Sequence, residues 1–339
     1  MIYKEFNGYK LSEIGIGTYL GNPDEDTDRS YYETIKTGIE KGINVIDTAI
    51  NYRNMRSEKV IGEVLEEIER KKVFLSTKGG YVAIPYNIKT DATTWFKETL
   101  IKTNIVSPKD ITETGNILTP KYIDWAFETS LKNLNTDYID VYFLHNPEDQ
   151  LLKFDKETFY KKLWTVFRLL EGKVAEGKLK FYGLATWNGF RVSETHKQYL
   201  NLKEIYDIAK EVGGENHHFR FIQLPYNIAM LEAYNLKNQT INGEKISTLE
   251  AAKKLGIYTY ISAPLMQGRL IRPTHPQILE KFHVKKFSHI PLQFVRSTPG
   301  VGTVLVGMSK VNHLLENIEI ENIPPLNSEE IKEMLEKRA

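Results

Sequence analysis

The 339-residue sequence predicts an α/β fold, a (β/α)8 barrel in one domain spanning 1–339, with an N-terminal β-hairpin and long loops. Three observations predict it. Short apolar runs alternate with amphipathic helical stretches eight times, as a parallel sheet with crossover helices requires. No Pro/Gly/Ser-rich linker divides the chain. Several apolar runs end on a polar side chain, and a barrel presents such residues at its C-terminal face.

The elements follow in order. Tyr3–Phe6, Asn7-Gly8 and Tyr9–Leu11 read as a hairpin around an Asn-Gly turn. IGIG (14–17) is the first barrel strand. A helix is expected from an Asp28 cap to Lys41, with Gly42 as its stop. Strand 43–47 follows, then helix 55–68, which carries Val60, Ile61, Val64, Leu65 and Ile68 on one face. Strand 73–78 is next, and residues 79–118 interrupt the rhythm. Thr119-Pro120 restarts it as cap and first helical residue. Strand 139–145, helix 159–175, strand 181–186, helix 201–212 and strand 221–224 follow. Ser247 and Glu250 form a capping box, and strand 257–262 comes next. Helices near 276–283 and 291–297 lead to strand 303–306. Ser309 is expected to cap the next helix, and Asn327 to begin the last. Gly15-Ile-Gly17-Thr-Tyr-Leu-Gly21 is one residue too long for a dinucleotide fingerprint, and a polar run follows it instead of a helix.

Composition narrows the function. The 45 basic and 44 acidic residues give a net charge of +1, which argues against a nucleic-acid groove. The absence of cysteine excludes disulfides, thiolate catalysis and cysteine-ligated zinc. No basic-then-apolar leader opens the chain and no window approaches 18 uncharged apolar residues, so the expected setting is soluble and cytoplasmic, without a membrane partner. Asn238-Gln239-Thr240 fits a glycosylation sequon by chance. His217-His218 reads as an exposed pair without a third ligand, and no metal site is expected.

The chemistry concentrates in residues 43–58. Asp47 ends one apolar run and Tyr52 lies five residues on. Lys78 closes VFLSTK, and His145 closes IDVYFLH. Each has an ordinary reading alone: a cap, one of 19 tyrosines, a Schiff-base lysine, a turn histidine. Together they meet the needs of carbonyl reduction. A phenol with a reference pKa of about 10 is a poor acid, and an adjacent ammonium is expected to lower it. Asp47 would keep Lys78 charged, and His145 would bind the substrate oxygen.

At this point the sequence resembles the aldo/keto reductase family, from about Gly15 to Asn317. The resemblance lies in GINVIDTAINY, the Lys closing FLSTK, DYIDVYFLHNPE, EGKLKFYGLATWN, FIQLPYN and VLVGMSKVNHLLEN. It implies a catalytic tetrad of Asp47, Tyr52, Lys78 and His145. It also implies a nicotinamide cofactor extended across the barrel mouth, NADPH in preference to NADH because of Lys310 with Ser309. Matching cofactor positions are Gly17, Thr18 and Tyr19 after the first strand, Gln223 for the carboxamide, and the loop Ser262, Pro264, Leu265, Gln267 and Arg269 for the pyrophosphate. Gly307, Ser309, Lys310, His313, Glu316 and Asn317 match the adenosine end.

Two positions depart from the pattern. The family's Ser-Asn after the fifth strand is Ala185-Thr186 here, which leaves Thr186 or Asn188 for that role. The ring-stacking tyrosine of the seventh strand is Ile261, which leaves Trp187 or Tyr226 to stack. The family's long loop shapes the substrate pocket, so 79–118 is expected to wall the site with aromatic surface, Tyr81 included, alongside Trp187 and residues 225–245. The expected function is a monomeric reductase of small-molecule carbonyls. The alternatives are a Schiff-base aldolase on Lys78 and a cofactor-binding regulatory subunit of the same fold.

Overall fold

The computed structural model describes residues 1–336. Strands β1 (Tyr3–Phe6) and β2 (Tyr9–Ser12) pair antiparallel around Asn7 and Gly8, whose φ of 46° and 81° the Asn-Gly pair accepts readily. The repeating part opens with β3 (Ile14–Gly17), α1 (Glu25–Glu40), β4 (Val45–Asp47), α2 (Arg56–Glu67) and β5 (Phe74–Gly79). It continues with α3 (Ala92–Phe96), α4 (Pro120–Asn133), β6 (Ile139–His145), α5 (Lys156–Ala175), β7 (Leu179–Ala185), α6 (Leu202–Gly213) and β8 (Phe219–Pro225). A short α7 (Glu232–Asn235) and a hairpin of β9 (Gln239–Ile241) and β10 (Glu244–Ile246) intervene. Then come α8 (Thr248–Lys254), β11 (Tyr258–Ser262), α9 (Pro276–Lys281), α10 (His289–Ser297), β12 (Thr303–Gly307), α11 (Val311–Ile318) and α12 (Ser328–Glu336).

Eight parallel strands close a barrel in the order β3-β4-β5-β6-β7-β8-β11-β12, with β12 returning to β3. Helices cover its outside, and the principal core fills the layer between strands and helices. The barrel interior holds a second core that includes Val45, Phe74, Val141, Phe143, Phe221 and Tyr260. The N-terminal hairpin closes one end of this interior: Phe6 packs against Phe181, Phe221 and Tyr258 at centroid distances of 5.1–6.3 Å. Among the described residues, the C-terminal ends of the strands remain open. The register brings polar residues to that end. Asp47 lies opposite Gly17 and Ser76, and Ala185 lies opposite both His145 and Gln223.

Several expectations need correction. Helix α1 is capped by Asp24, which accepts from the Thr27 amide at 2.8 Å, because Asp28 is drawn into ion pairs with Arg53 and Arg56. Helix α5 begins earlier than 159, because Asp155 supplies a cap. Segment 79–118 contains α3, and Trp95 and Phe96 pack on the core from outside the barrel, Trp95 against Trp125 of α4. Ser309 does not cap α11. Lys310 occupies the cap position without a side-chain bond, and the Ser309 carbonyl accepts from the Ser30 hydroxyl. The β9–β10 hairpin turns on Asn242-Gly243, a signal the sequence reading passed over. Asn238 is buried, donating to the Phe190 and Val192 carbonyls, so its amide is closed to a glycan. His217 is also buried, edge-on to Tyr206 and beside Arg220, while His218 pairs with Glu171.

Candidate active site

Three strand ends and one turn build the site. Lys78, at the end of β5, is wholly buried, with 0% of its surface exposed. Its ammonium donates to Asp47 Oδ2 at 2.6 Å, to the Thr48 carbonyl at 2.7 Å and to the Tyr52 hydroxyl at 3.4 Å. Three acceptors therefore use all three of its donors. Asp47 Oδ1 accepts from Ser76 Oγ at 2.6 Å, which fixes the carboxylate. Tyr52 stands in the turn after β4, with its ring edge-on to His145 at 5.8 Å and to Tyr19 at 5.0 Å. The four residues predicted for catalysis thus meet at one point.

Electrostatics assigns them different protonation states. Burial works against the Lys78 ammonium, but Asp47 and Tyr52 outweigh it and raise its pKa. Lysine 78 stays charged and hydrogen-bonded, which makes it a poor Schiff-base nucleophile. Burial raises the Tyr52 pKa and Lys78 opposes it without prevailing. The expected lowering of the phenol is therefore not seen in the resting site, and the hydroxyl keeps its proton. Burial and the Lys78 charge hold the His145 pKa well below its ordinary value, so the imidazole is neutral. Its Nδ1 is buried without a partner among the described residues.

Above these residues lies a cleft of about 1030 Å³. Of the predicted binding residues, Gly17, Thr18, Tyr19, Tyr81, Thr186, Trp187 and Gln223 line it near the tetrad. Ser262, Pro264, Leu265, Gln267 and Arg269 line its β11 side, and Gly307, Ser309, His313, Glu316 and Asn317 its far arm. Two do not line it. The Asn188 amide turns away to donate to Gln198, which leaves Thr186 as the polar wall residue after β7. Lys310 sits beyond Ser309, off the wall. Tyr226 is wholly buried against Phe294 and Thr298, so it does not reach the cleft, whereas Trp187 stands at its wall with 49% of its surface exposed. Segment 79–118 contributes Tyr81 alone, and residues 225–245 contribute none.

Some site residues escaped the sequence reading. Leu20, Asn51, Asn146 and Ser288 also line the cleft. Asn146 donates to the Tyr81 hydroxyl at 3.0 Å, and Tyr81 donates to Asp149 at 2.7 Å, which fixes that ring against His145. Glu148 is buried, 1% exposed, and its Oε1 accepts from the amides of Trp187, Asn188 and Gly189 at 2.7–3.2 Å. It thereby sets the loop that carries Thr186 and Trp187. The only local signal was an acid two residues beyond a strand-ending histidine-asparagine pair, which periodicity does not register.

A barrel open at one end, with a buried Asp-Lys-Tyr chain beside a neutral histidine, is the framework of an oxidoreductase. The profile of the aldo/keto reductase family matches residues 13–339, and the chain belongs to that family. An uncharacterized oxidoreductase of Bacillus subtilis, YqkF, is 24% identical over 334 residues, covering 95% of this chain and 91% of that protein. A putative voltage-gated potassium channel subunit beta of Schizosaccharomyces pombe is 23% identical, with coverage of 97% and 90%. An NADH-specific methylglyoxal reductase of Escherichia coli is 28% identical over 189 residues, 54% of this chain and 51% of that protein. Among solved structures, an aldo/keto reductase of Klebsiella pneumoniae in complex with NADP and acetate superposes with a TM-score of 0.65 at 22% identity, covering 98% of this chain and 93% of that one. The holo form of an aldo-keto reductase from Bacillus halodurans gives 0.68 at 20% identity, with coverage of 99% and 96%. Both share the fold.

Proposed function

We propose that the chain is an NADPH-dependent reductase of aldehydes and ketones with Tyr52 as the general acid. The observation that carries this reading is the buried Lys78 ammonium, held between Asp47 at 2.6 Å and the Tyr52 hydroxyl at 3.4 Å, the two residues that line the cleft above it. The residues fit a nicotinamide dinucleotide. Gln223 Nε2 is a buried donor on the cleft wall without a partner among the described residues, suited to a carboxamide oxygen. Ala263, Met266, Gln267 and Gly268 all take positive φ, and backbone in such conformations forms concavities for anions. Arg269 and His313 on the wall, with Lys310 beside Ser309, suit the additional phosphate of NADPH. The relative named as NADH-specific makes the comparison of both dinucleotides necessary.

A reduced nicotinamide, when bound, supplies a hydride to the carbonyl carbon. The chain's own residues handle the oxygen. Neutral His145 donates a hydrogen bond that orients it. Tyr52 holds its proton in the resting site and releases it to the alkoxide as negative charge develops there. The phenolate left behind faces Lys78, so the ammonium's stabilisation strengthens along the reaction coordinate. Asp47 keeps Lys78 charged throughout. The second reading, a regulatory subunit, draws on the Schizosaccharomyces pombe relative. A panel of aldehydes and ketones, methylglyoxal included, assayed by nicotinamide absorbance with NADPH and then NADH, decides between them. Turnover with NADPH is expected. Tight dinucleotide binding with no turnover of any carbonyl would favour the regulatory reading.

A further inference from the structure

The turn after Tyr52 is unusual. Arg53, Asn54 and Met55 take φ of 50°, 57° and 70° in succession, and none is glycine. Residues with a Cβ rarely occupy the left-handed region, and three in a row persist only where their surroundings enforce it. The enforcement is visible. The Arg53 side chain is 1% exposed and lies over the Tyr31 ring at 5.4 Å. Its Nε donates to the Asn22 carbonyl at 2.8 Å, and its Nη2 to the Asp24 carbonyl at 3.1 Å and to Asp28 Oδ1. The other oxygen of Asp28 accepts from Arg56 Nε at 2.7 Å, and Arg56 stacks on Tyr86 at 4.1 Å. One carboxylate on α1 thus grips both ends of the strained turn, at Arg53 and Arg56.

The grip reaches the cleft in two ways. Arg53 is bonded directly to Tyr52. Its guanidinium also fastens the carbonyls of Asn22 and Asp24, in the β3–α1 loop that carries Tyr19 and Leu20 to the cleft wall. Tyr19 in turn rests edge-on against Tyr52. Among the described residues the buried Arg53 Nη1 has no partner, so the arrangement is not the one that best satisfies the guanidinium alone.

Resting on the reductase reading, we propose that Arg53, locked by Asp28, is a positioning residue. It holds the left-handed turn and the β3–α1 loop as one body and so sets the Tyr52 phenol against Lys78. Substrate and dinucleotide do not need to touch it.

The test uses the full chain as Asp28→Asn, Arg53→Ala and Arg53→Gly. Misplacing a reacting group by about 1 Å costs roughly 10²-fold, so the first two should lose about 10- to 100-fold in kcat. Carbonyl KM should stay within about twofold, and NADPH Kd should change by far less than kcat, since the loop that Arg53 fastens carries only Tyr19 and Leu20 to the cleft wall. Hydrogen exchange over 49–56 should quicken in both. Arg53→Gly also lacks the guanidinium, but glycine accepts positive φ freely, so it should recover several-fold of the kcat lost by Arg53→Ala. Wild-type kcat in Asp28→Asn and Arg53→Ala, or kcat loss with unchanged exchange at 49–56, overturns the proposal. So does equal kcat in the alanine and glycine variants. An inactive wild type overturns the reductase reading instead, while the exchange comparison still decides the clamp.

Discussion

Glu148 sets two effects in direct opposition, and Glu148→Gln shows which prevails. Three backbone amides donate to Oε1, and such donors favour the carboxylate. Burial opposes them, and Oε2 is buried with no partner among the described residues. Burial is the larger effect and pushes the carboxyl up from 4.5 to about 7. A raised carboxyl pKa stabilises the fold at low pH. That stability is fully present below 4.5 and is lost as pH rises toward 7, because the unfolded chain ionises first. At about 1.36 kcal/mol per pH unit, the folded state loses roughly 2 to 3 kcal/mol between pH 5 and pH 8 from this group alone. Glutamine keeps an acceptor for the three amides and does not titrate. Urea unfolding of both proteins across pH 5–8 isolates the effect, since all other groups cancel in the difference. The variant should gain roughly 2 to 3 kcal/mol on the wild type from pH 5 to pH 8. A flat difference, or one favouring the wild type at high pH, would show that the amides outweigh burial and refute the reasoning.

Two further outcomes are expected. Phe6→Ala removes the ring that closes the lower end of the barrel and should cost about 2 kcal/mol in chemical denaturation, with kcat unchanged because the cleft lies at the other end. Gln223→Ala removes an unpartnered buried donor from the cleft wall and should weaken NADPH binding by roughly tenfold, measured by fluorescence titration, with little change in Tm.

The barrel was legible because its strands end on polar residues. Asp47, Lys78 and His145 each close an apolar run, and buried strands deliver such residues to the mouth. Ser247 with Glu250 and Thr119 with Pro120 marked helix starts that the structure reproduces, since caps are local chemistry. What local chemistry does not encode was read less well. Asp28 was expected to cap α1, but its partners Arg53 and Arg56, which draw it away, are distant in sequence. Asn188 and Tyr226 had the right residue types for the cleft, yet Gln198 and Phe294 turn them elsewhere. Trp95 has the same surface to offer the cleft or the barrel exterior, and Trp125 settled it for the exterior. The net protonation of Tyr52 depended on weighing burial against Lys78, a balance of tertiary distances.

The central claim is that Tyr52 supplies the proton while the rest of the site binds and orients. Tyr52→Phe removes one oxygen from the cleft floor and leaves the ring packed against His145 and Tyr19. Single-turnover carbonyl reduction should fall by about 10²- to 10⁴-fold, with NADPH affinity unchanged. Reduction by this variant at close to the wild-type rate would contradict the account.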